Sequence, residues 1–217
     1  RGKKSFKAGK VEYIPGVGVD TKKFSEAVVD KSEKRSELGL PQDAFLVLSV
    51  GELNKNKNHE TVIKAIAKLN NPNVYYVICG QGVLENCLKD LIKELGLEKQ
   101  VKLLGYRRDI AEICRAADVF AFPSKREGLG LAALEAMAFG LPLVTSNVHG
   151  IVDYSINEVT GYNCSPTDVD GFAEAIQKMI NNEELKTKMG RSNKKVVKKF
   201  DIENTCKIMT NIYSEGK

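Results

Sequence analysis

The chain has 217 residues, 42% hydrophobic and 28% charged, a composition that supports a full globular core and excludes a disordered polypeptide. Its net charge of +5 resides in Arg1, Lys3, Lys4, Lys7 and Lys10, and the remaining 28 basic residues balance 28 acids, so the domain proper lacks the electrostatic footprint of nucleic-acid binding. Five scattered cysteines without a C-x-x-C pair read as reduced, packed thiols of a cytosolic protein, two histidines do not assemble a zinc site, and neither a signal peptide nor an apolar run near 18 residues is present.

Residues 1–24 form a basic lead-in followed by "VEYIPGVGVDTKKF", read as a short strand and a Gly/Pro turn. The first apolar β-branched run, "FLVLSVG" at 45–51, leads into "GELNKNKN" and then a helical pattern from His59 to Leu69 with Asn58 as N-cap. "VYYVICG" at 74–80, "VLENCLKDLIKELG" ending at Gly96, "VKLLG" at 101–105 and the short "DIAEICRAA" continue the alternation. "DVFAFPS" at 118–124 precedes an almost wholly apolar helix from Leu131 to Phe139; "LPLVTS" at 141–146 and a weaker "GYNCSP" at 161–166 follow, then a helix from 168. Residues 183–217 read as helical and lysine-rich. Their "KKVVKK" run is a solvated face, with an anionic membrane surface as the alternative.

Continuous apolar strands alternating with helices predict an α/β doubly wound, Rossmann-like parallel sheet of six strands. The expected order is 3-2-1-4-5-6, with the ligand crevice between the first and fourth strands. The chain divides into a connection at 1–24, a binding domain at 25–200 and a C-terminal helix at 201–217.

The loops flanking that crevice carry its chemistry. Lys55 and Lys57 follow the first strand; Glu127, Gly128 and Gly130 follow the fourth. The glycines allow close backbone approach, and the helix beginning at Leu131 points its free N–H groups at the same place, which suits phosphate. Two carboxylates, Glu127 and Glu135, straddle this position. Glu135 lies inside a helix that reads as buried on all sides, where an unpaired charge is costly. Vicinal hydroxyls would satisfy both, a ribose at Glu135 and a sugar at Glu127. A dinucleotide fingerprint in "GLGLAA" is disfavoured, because it follows the fourth strand and not the first. "DVD" at 168–170 reads as helix capping, so no metal site is expected.

"PSKREGLGLAALEAMAFGLPLVTSNVHGIVDYS" resembles the E-x7-E signature of glycosyltransferase family 4, the group 1 glycosyltransferases. "YIPGVGVDTKKF", "VGELNKNKN", "CGQG" and "LLGYRRDIAEICRAADVFAFPS" are similar to that family's interdomain segment, phosphate loop, Gly-x-Gly turn and base-binding region. The resemblance implies the C-terminal, donor-binding half of a GT-B fold. It also implies a retaining transferase that moves sugar from a nucleoside-diphosphate sugar to an acceptor hydroxyl in exopolysaccharide, capsule or other glycoconjugate synthesis. Carried across, Lys57 binds the diphosphate in the loop opened by Gly51, with Lys55 in support. Glu127 meets the transferred sugar, the backbone of Gly128, Leu129, Gly130 and Leu131 meets sugar and phosphate, and Glu135 meets the ribose. The base lies near Tyr106 and Arg107. No cofactor beyond the donor is implied. The partners implied are an acceptor glycan or lipid-linked glycan and an N-terminal acceptor domain outside this chain, without which transfer fails; the location is cytoplasmic, or the inner face of the membrane. Glu52 stands where many members have arginine, Leu129 where an aromatic is usual, and Val148–His149–Gly150 where Gly-Gly is common. A nucleotide-sugar-binding module without catalysis and a sugar-nucleotide epimerase are the rival readings.

Overall fold

The computed structural model describes residue 14 and residues 16–25 and 30–215. The basic lead-in and most of the expected first strand lie outside the described residues. Within them, the expected strand is reduced to a single bridge residue, Val19, paired with Asp201.

Six strands form one parallel sheet: β1 (Phe45–Val50), β2 (Val74–Cys79), β3 (Val101–Leu103), β4 (Val119–Phe122), β5 (Leu143–Ser146) and β6 (Gly161–Cys164), in the order β3-β2-β1-β4-β5-β6. Both the fold class and the strand order agree with the sequence reading. The connection out of β1 runs to one side and the return to β4 to the other, which opens a crevice at their carboxyl ends.

Helices cover both faces: α1 (Thr21–Ser25), α2 (Lys31–Glu37), α3 (His59–Leu69), α4 (Glu85–Glu94), α5 (Ile110–Ala116), α6 (Leu131–Phe139), α7 (Val169–Ile180), α8 (Glu183–Val196) and α9 (Ile202–Glu215), with a 3-10 turn at Val197–Phe200. The period-2 alternation of β1 serves two cores. Leu46 and Leu48 pack with α5 and α6, while Val47 packs with α3, α4 and α7.

Three expectations change, and one helix appears that the sequence did not announce. The α2 segment, KSEKRSE, has no apolar period to reveal it; it forms because Asp30 caps it and Arg35 is buried, donating to Ala116 O, Gln42 O, Ala44 O and Asp118. Asn58 does occupy the N-cap position of α3, but left-handed at φ 58 and without capping it. Its amide instead donates to Thr61 Oγ1 (2.9 Å), Pro123 O (3.1 Å) and Pro166 O (2.7 Å), stitching together the loops after β1, β4 and β6. Cys87 and Cys206 are exposed, whereas Cys79, Cys114 and Cys164 are buried; all five are free thiols. Finally, α6 is not buried all round. Leu131, Glu135 and Phe139, spaced one turn apart, form its least buried stripe, with α1 packed against the helix.

The "DVD" expectation holds as capping. Asp168 accepts from Gly171 N at 2.8 Å, and Asp170 pairs with Lys68.

Candidate functional site

The loops after β1 and β4 face each other across the crevice and are tied together by main chain. Lys125 N donates to Asn56 O (2.8 Å), and the Asn56 amide donates to Arg126 O (2.9 Å). Asn54 Oδ1 accepts from the backbone of Asn56 and Lys57, which holds the phosphate-loop candidate in a tight turn. The Lys57 stem lies along Gly51, where an added Cβ would meet Lys57 Cδ at 3.4 Å. Its ammonium reaches Glu127 Oε2 at 2.5 Å and sits 5.0 Å from the Phe122 ring centroid. Ser124 Oγ donates to the same carboxylate oxygen at 3.4 Å.

Between these loops lies a hollow of about 680 Å³ whose lining includes Gly51, Lys57, Glu127 and the stretch from Gly128 to Ala132. Gly130 is left-handed at φ 80, and no side chain caps the first turn of α6; the Ala133 N–H donates to Gly130 O (3.0 Å), which, among the described residues, leaves the Leu131 and Ala132 N–H groups open at this wall. A Cβ at Gly130 would collide with Tyr154 Oη at 2.7 Å and Phe122 at 2.8 Å. Tyr154 and Gly150 are site residues that the sequence reading missed. The Tyr154 hydroxyl is buried beneath the turn with no partner among the described residues, and burial pushes its pKa up. Gly150, read only as a departure from Gly-Gly, is left-handed at φ 83, and a Cβ there would lie 2.1 Å from Gly128 O. Only glycine lets that loop support the Glu127–Gly128 turn.

A second hollow, of about 470 Å³, shares Val50 and Gly51 with the first and continues past Cys79, Gly80 and Gln81 to Tyr106 and Arg107. The "CGQG" turn is built for close approach: a Cβ at Gly80 would stand 1.9 Å from Gly51 O. Tyr106 is 69% exposed. Arg107 is taken up by Asp109 and Glu37 at 2.5–2.8 Å, and this guanidinium holds the Asp109 carboxyl far below its usual range. Burial lifts the Cys79 thiol to about 12, which keeps it protonated and unreactive.

Two expected residues stand apart. Lys55 is exposed and lines a separate hollow of about 190 Å³ with His59 and Lys125. Glu135 lies one turn beyond Leu131, outside the lining of the first hollow. It makes no hydrogen bond or ion pair among the described residues; burial raises its pKa, and the charge of Lys23 opposes that rise. Glu37, Asp109 and Glu112 come close enough together to hold a cation, but the Lys34 ammonium occupies the space between them at 2.5–3.0 Å.

A crevice at the switch point of a doubly wound sheet, walled by a helix terminus, one lysine and one glutamate, suits an anion joined to a polyol. The sequence pattern described as "Glycosyl transferases group 1" matches residues 30–196. The chain belongs to the group 1 glycosyltransferases. It is 36% identical over 198 residues to the UDP-Gal:alpha-D-GlcNAc-diphosphoundecaprenol alpha-1,3-galactosyltransferase of Escherichia coli, a match covering 89% of this chain and 51% of that protein. This group 1 chain thus spans about half the length of that relative. Among solved structures it superposes on Anabaena Alr3699/HepE in complex with UDP and glucose, with a TM-score of 0.85 at 26% identity, over 91% of this chain and 55% of that one. It shares its fold with the C-terminal domain of the group 1 protein LpcC from Francisella tularensis, with a TM-score of 0.75 at 24% identity, over 83% of this chain and 97% of that one.

Proposed function

We propose that this chain is the donor-binding half of a retaining family 4 glycosyltransferase, one of two Rossmann-like halves of a GT-B enzyme of polysaccharide or glycoconjugate synthesis. The observation that carries the reading is the order of chemistry along one groove. The exposed Tyr106 ring and the Gly80–Gln81 backbone end one hollow, which continues through Gly51 to Lys57, the open terminus of α6 and Glu127. That sequence suits base, diphosphate and sugar in turn. The UDP and glucose named with the Anabaena protein, and the UDP-Gal named for the E. coli relative, support it.

In transfer, the bond from the anomeric carbon to the diphosphate oxygen breaks with its electron pair on the diphosphate. The acceptor oxygen bonds the same face of that carbon, and its proton passes to the departing diphosphate oxygen. Negative charge grows on the leaving group, where Lys57 and the α6 N–H groups stabilise it. This cationic end supplies what a metal would, so no cofactor is required. Glu127 accepts hydroxyls of the transferred sugar, and Glu135 accepts ribose hydroxyls once the ligand and Lys23 share its stripe of α6. An N-terminal domain brings the acceptor, a glycan or lipid-linked glycan, at the cytoplasmic face of a membrane. Among the described residues no helix is long and apolar enough to cross one.

Calorimetric titration of the 217-residue chain with UDP, GDP and ADP and their sugar conjugates tests the reading. Binding of one nucleotide series without sugar transfer is expected, because closure and the acceptor site each lower the barrier and both need the second half. Lys57→Ala should weaken the nucleoside diphosphate about tenfold or more and the bare nucleoside hardly at all. Glu135→Gln should weaken both while leaving thermal unfolding unchanged. A folded chain that binds no nucleotide overturns the site, and transfer by this chain alone overturns the division of labour.

A further inference from the structure

Lys57 and Glu127 occupy one another. The ammonium and Oε2 are 2.5 Å apart, on side chains only 22% and 16% exposed, and the pair spans the two loops at the wall of the larger hollow. Lys57 has little freedom to serve two partners, since its stem is laid along Gly51 and its loop is pinned by Asn54. Glu127 has little else to turn to, its other hydrogen bond being the long one from Ser124. The donor-site reading nevertheless requires the ammonium for phosphate and the carboxylate for sugar.

We propose that Glu127 makes the site discriminate against a nucleoside diphosphate that carries no sugar, by competing with the phosphates for Lys57. The inference rests on the donor-site reading above. A ligand that draws Lys57 onto its phosphates strips a half-buried carboxylate of its counter-ion, and such a group is costly to leave unpaired. A nucleotide sugar replaces the lost partner with hydroxyl donors; a bare nucleoside diphosphate offers none. The same carboxylate that seats the sugar therefore weakens the hold on the nucleotide once the sugar has gone, which favours release of the product over the donor. Direct repulsion between Glu127 and the diphosphate would have the same sign, but it would not depend on Lys57.

That dependence is the test. UDP and UDP-glucose (or the GDP or ADP pair, whichever series binds) are titrated calorimetrically into the 217-residue chain, Glu127→Gln, Lys57→Met and the double variant, with thermal unfolding recorded for each. Glu127→Gln should bind the bare diphosphate about fivefold tighter and the sugar conjugate no tighter, so that the ratio of the two dissociation constants moves toward the product. In the Lys57→Met background the same change should leave the diphosphate within about twofold. If Glu127→Gln does not fold, Glu127→Ala carries the same comparison. Unchanged or weakened diphosphate binding in the single variant overturns the proposal. Tightening that persists without Lys57 assigns the effect to repulsion and overturns it as well. Wild-type chain that binds neither ligand overturns the donor-site reading itself, a result separate from either of these.

Discussion

Strand β4 has an ion pair at each end, and the two could hardly be more different. At its amino end Asp118 meets Arg35, whose side chain is 4% exposed, at 2.8 Å; the aspartate also accepts from Leu46 N and Lys31, and the guanidinium satisfies three carbonyls. At its carboxyl end Glu127 meets Lys57 with one further, long hydrogen bond, beside an open groove. The first pair is saturated and holds α2 to the sheet. The second is held by one strong contact beside the groove, so a ligand can draw its lysine away. The number of bonds that hold a charge in place, more than its presence, separates a structural pair from a binding one.

The largest expected effect lies at the saturated end. Arg35→Met should cost about 3–5 kcal/mol in urea unfolding, since it takes the buried counter-ion from Asp118, which keeps only Leu46 N and the half-exposed Lys31, and leaves three carbonyls without their donor. Nucleotide affinity of the folded fraction should stay as it was; a loss smaller than 1 kcal/mol would erase the contrast. The carboxyl end has a hidden support of its own in His59, which burial lowers to about 4 from 6.5. The unfolded chain takes up that proton more readily than the folded one, so the stability from His59 is complete above about pH 6.5 and declines as pH falls toward 4. At pH 4.5 the loss attributable to it is about 2–3 kcal/mol. Urea titrations at pH 7 and 4.5 on the wild type and His59→Gln should show a shallower decline in the variant; parallel curves would refute the assignment. Asn58→Ala, which unpicks three loops, should cost about 1–3 kcal/mol and weaken nucleotide binding as well. Loss of stability with unchanged affinity would mean that the stitch does not position the site. Glu127→Gln should have the smallest effect on unfolding, below about 1 kcal/mol, because its pair borders solvent.

Much of this molecule was legible from its sequence for one physical reason: strands buried on both faces are written as unbroken apolar runs. β1 to β5 were therefore visible, β6 was fainter because its Gly-Tyr-Asn-Cys run is only partly buried, and the strand order followed from the alternation with helices. Helix α2 was not, because its burial is achieved by Lys34 and Arg35, residues that read as surface until their partners at Asp109, Glu112 and Asp118 are in place. At the candidate site, Lys57, Glu127 and the start of α6 come together at one hollow, a juxtaposition readable from loops that flank a switch point. Arg107, expected beside the base, does line the second hollow; its charge is engaged by Asp109 two residues on and by Glu37, 70 positions away, and only the second tie is invisible in the local sequence. Gly150 and Tyr154 act only through their packing beneath the Gly128–Gly130 turn, a relation no single stretch of sequence contains.

The seam beside the larger hollow has a consequence in time. Val19 N donates to Phe200 O and Ile202 N to Val19 O, Thr21 bonds Asp201 across 180 positions, and Thr205 reaches Gly16 O. Closing so long a loop costs entropy that a handful of hydrogen bonds repays only after the sheet between them has formed. This seam should therefore close late in folding and open early. Amides of Val19 and Ile202 should exchange with deuterium far sooner than those of Leu46 to Leu48. Since Gly16 and Val17 line the groove beside Leu129, its rim should fluctuate on a faster clock than its floor, where that exchange experiment would read it.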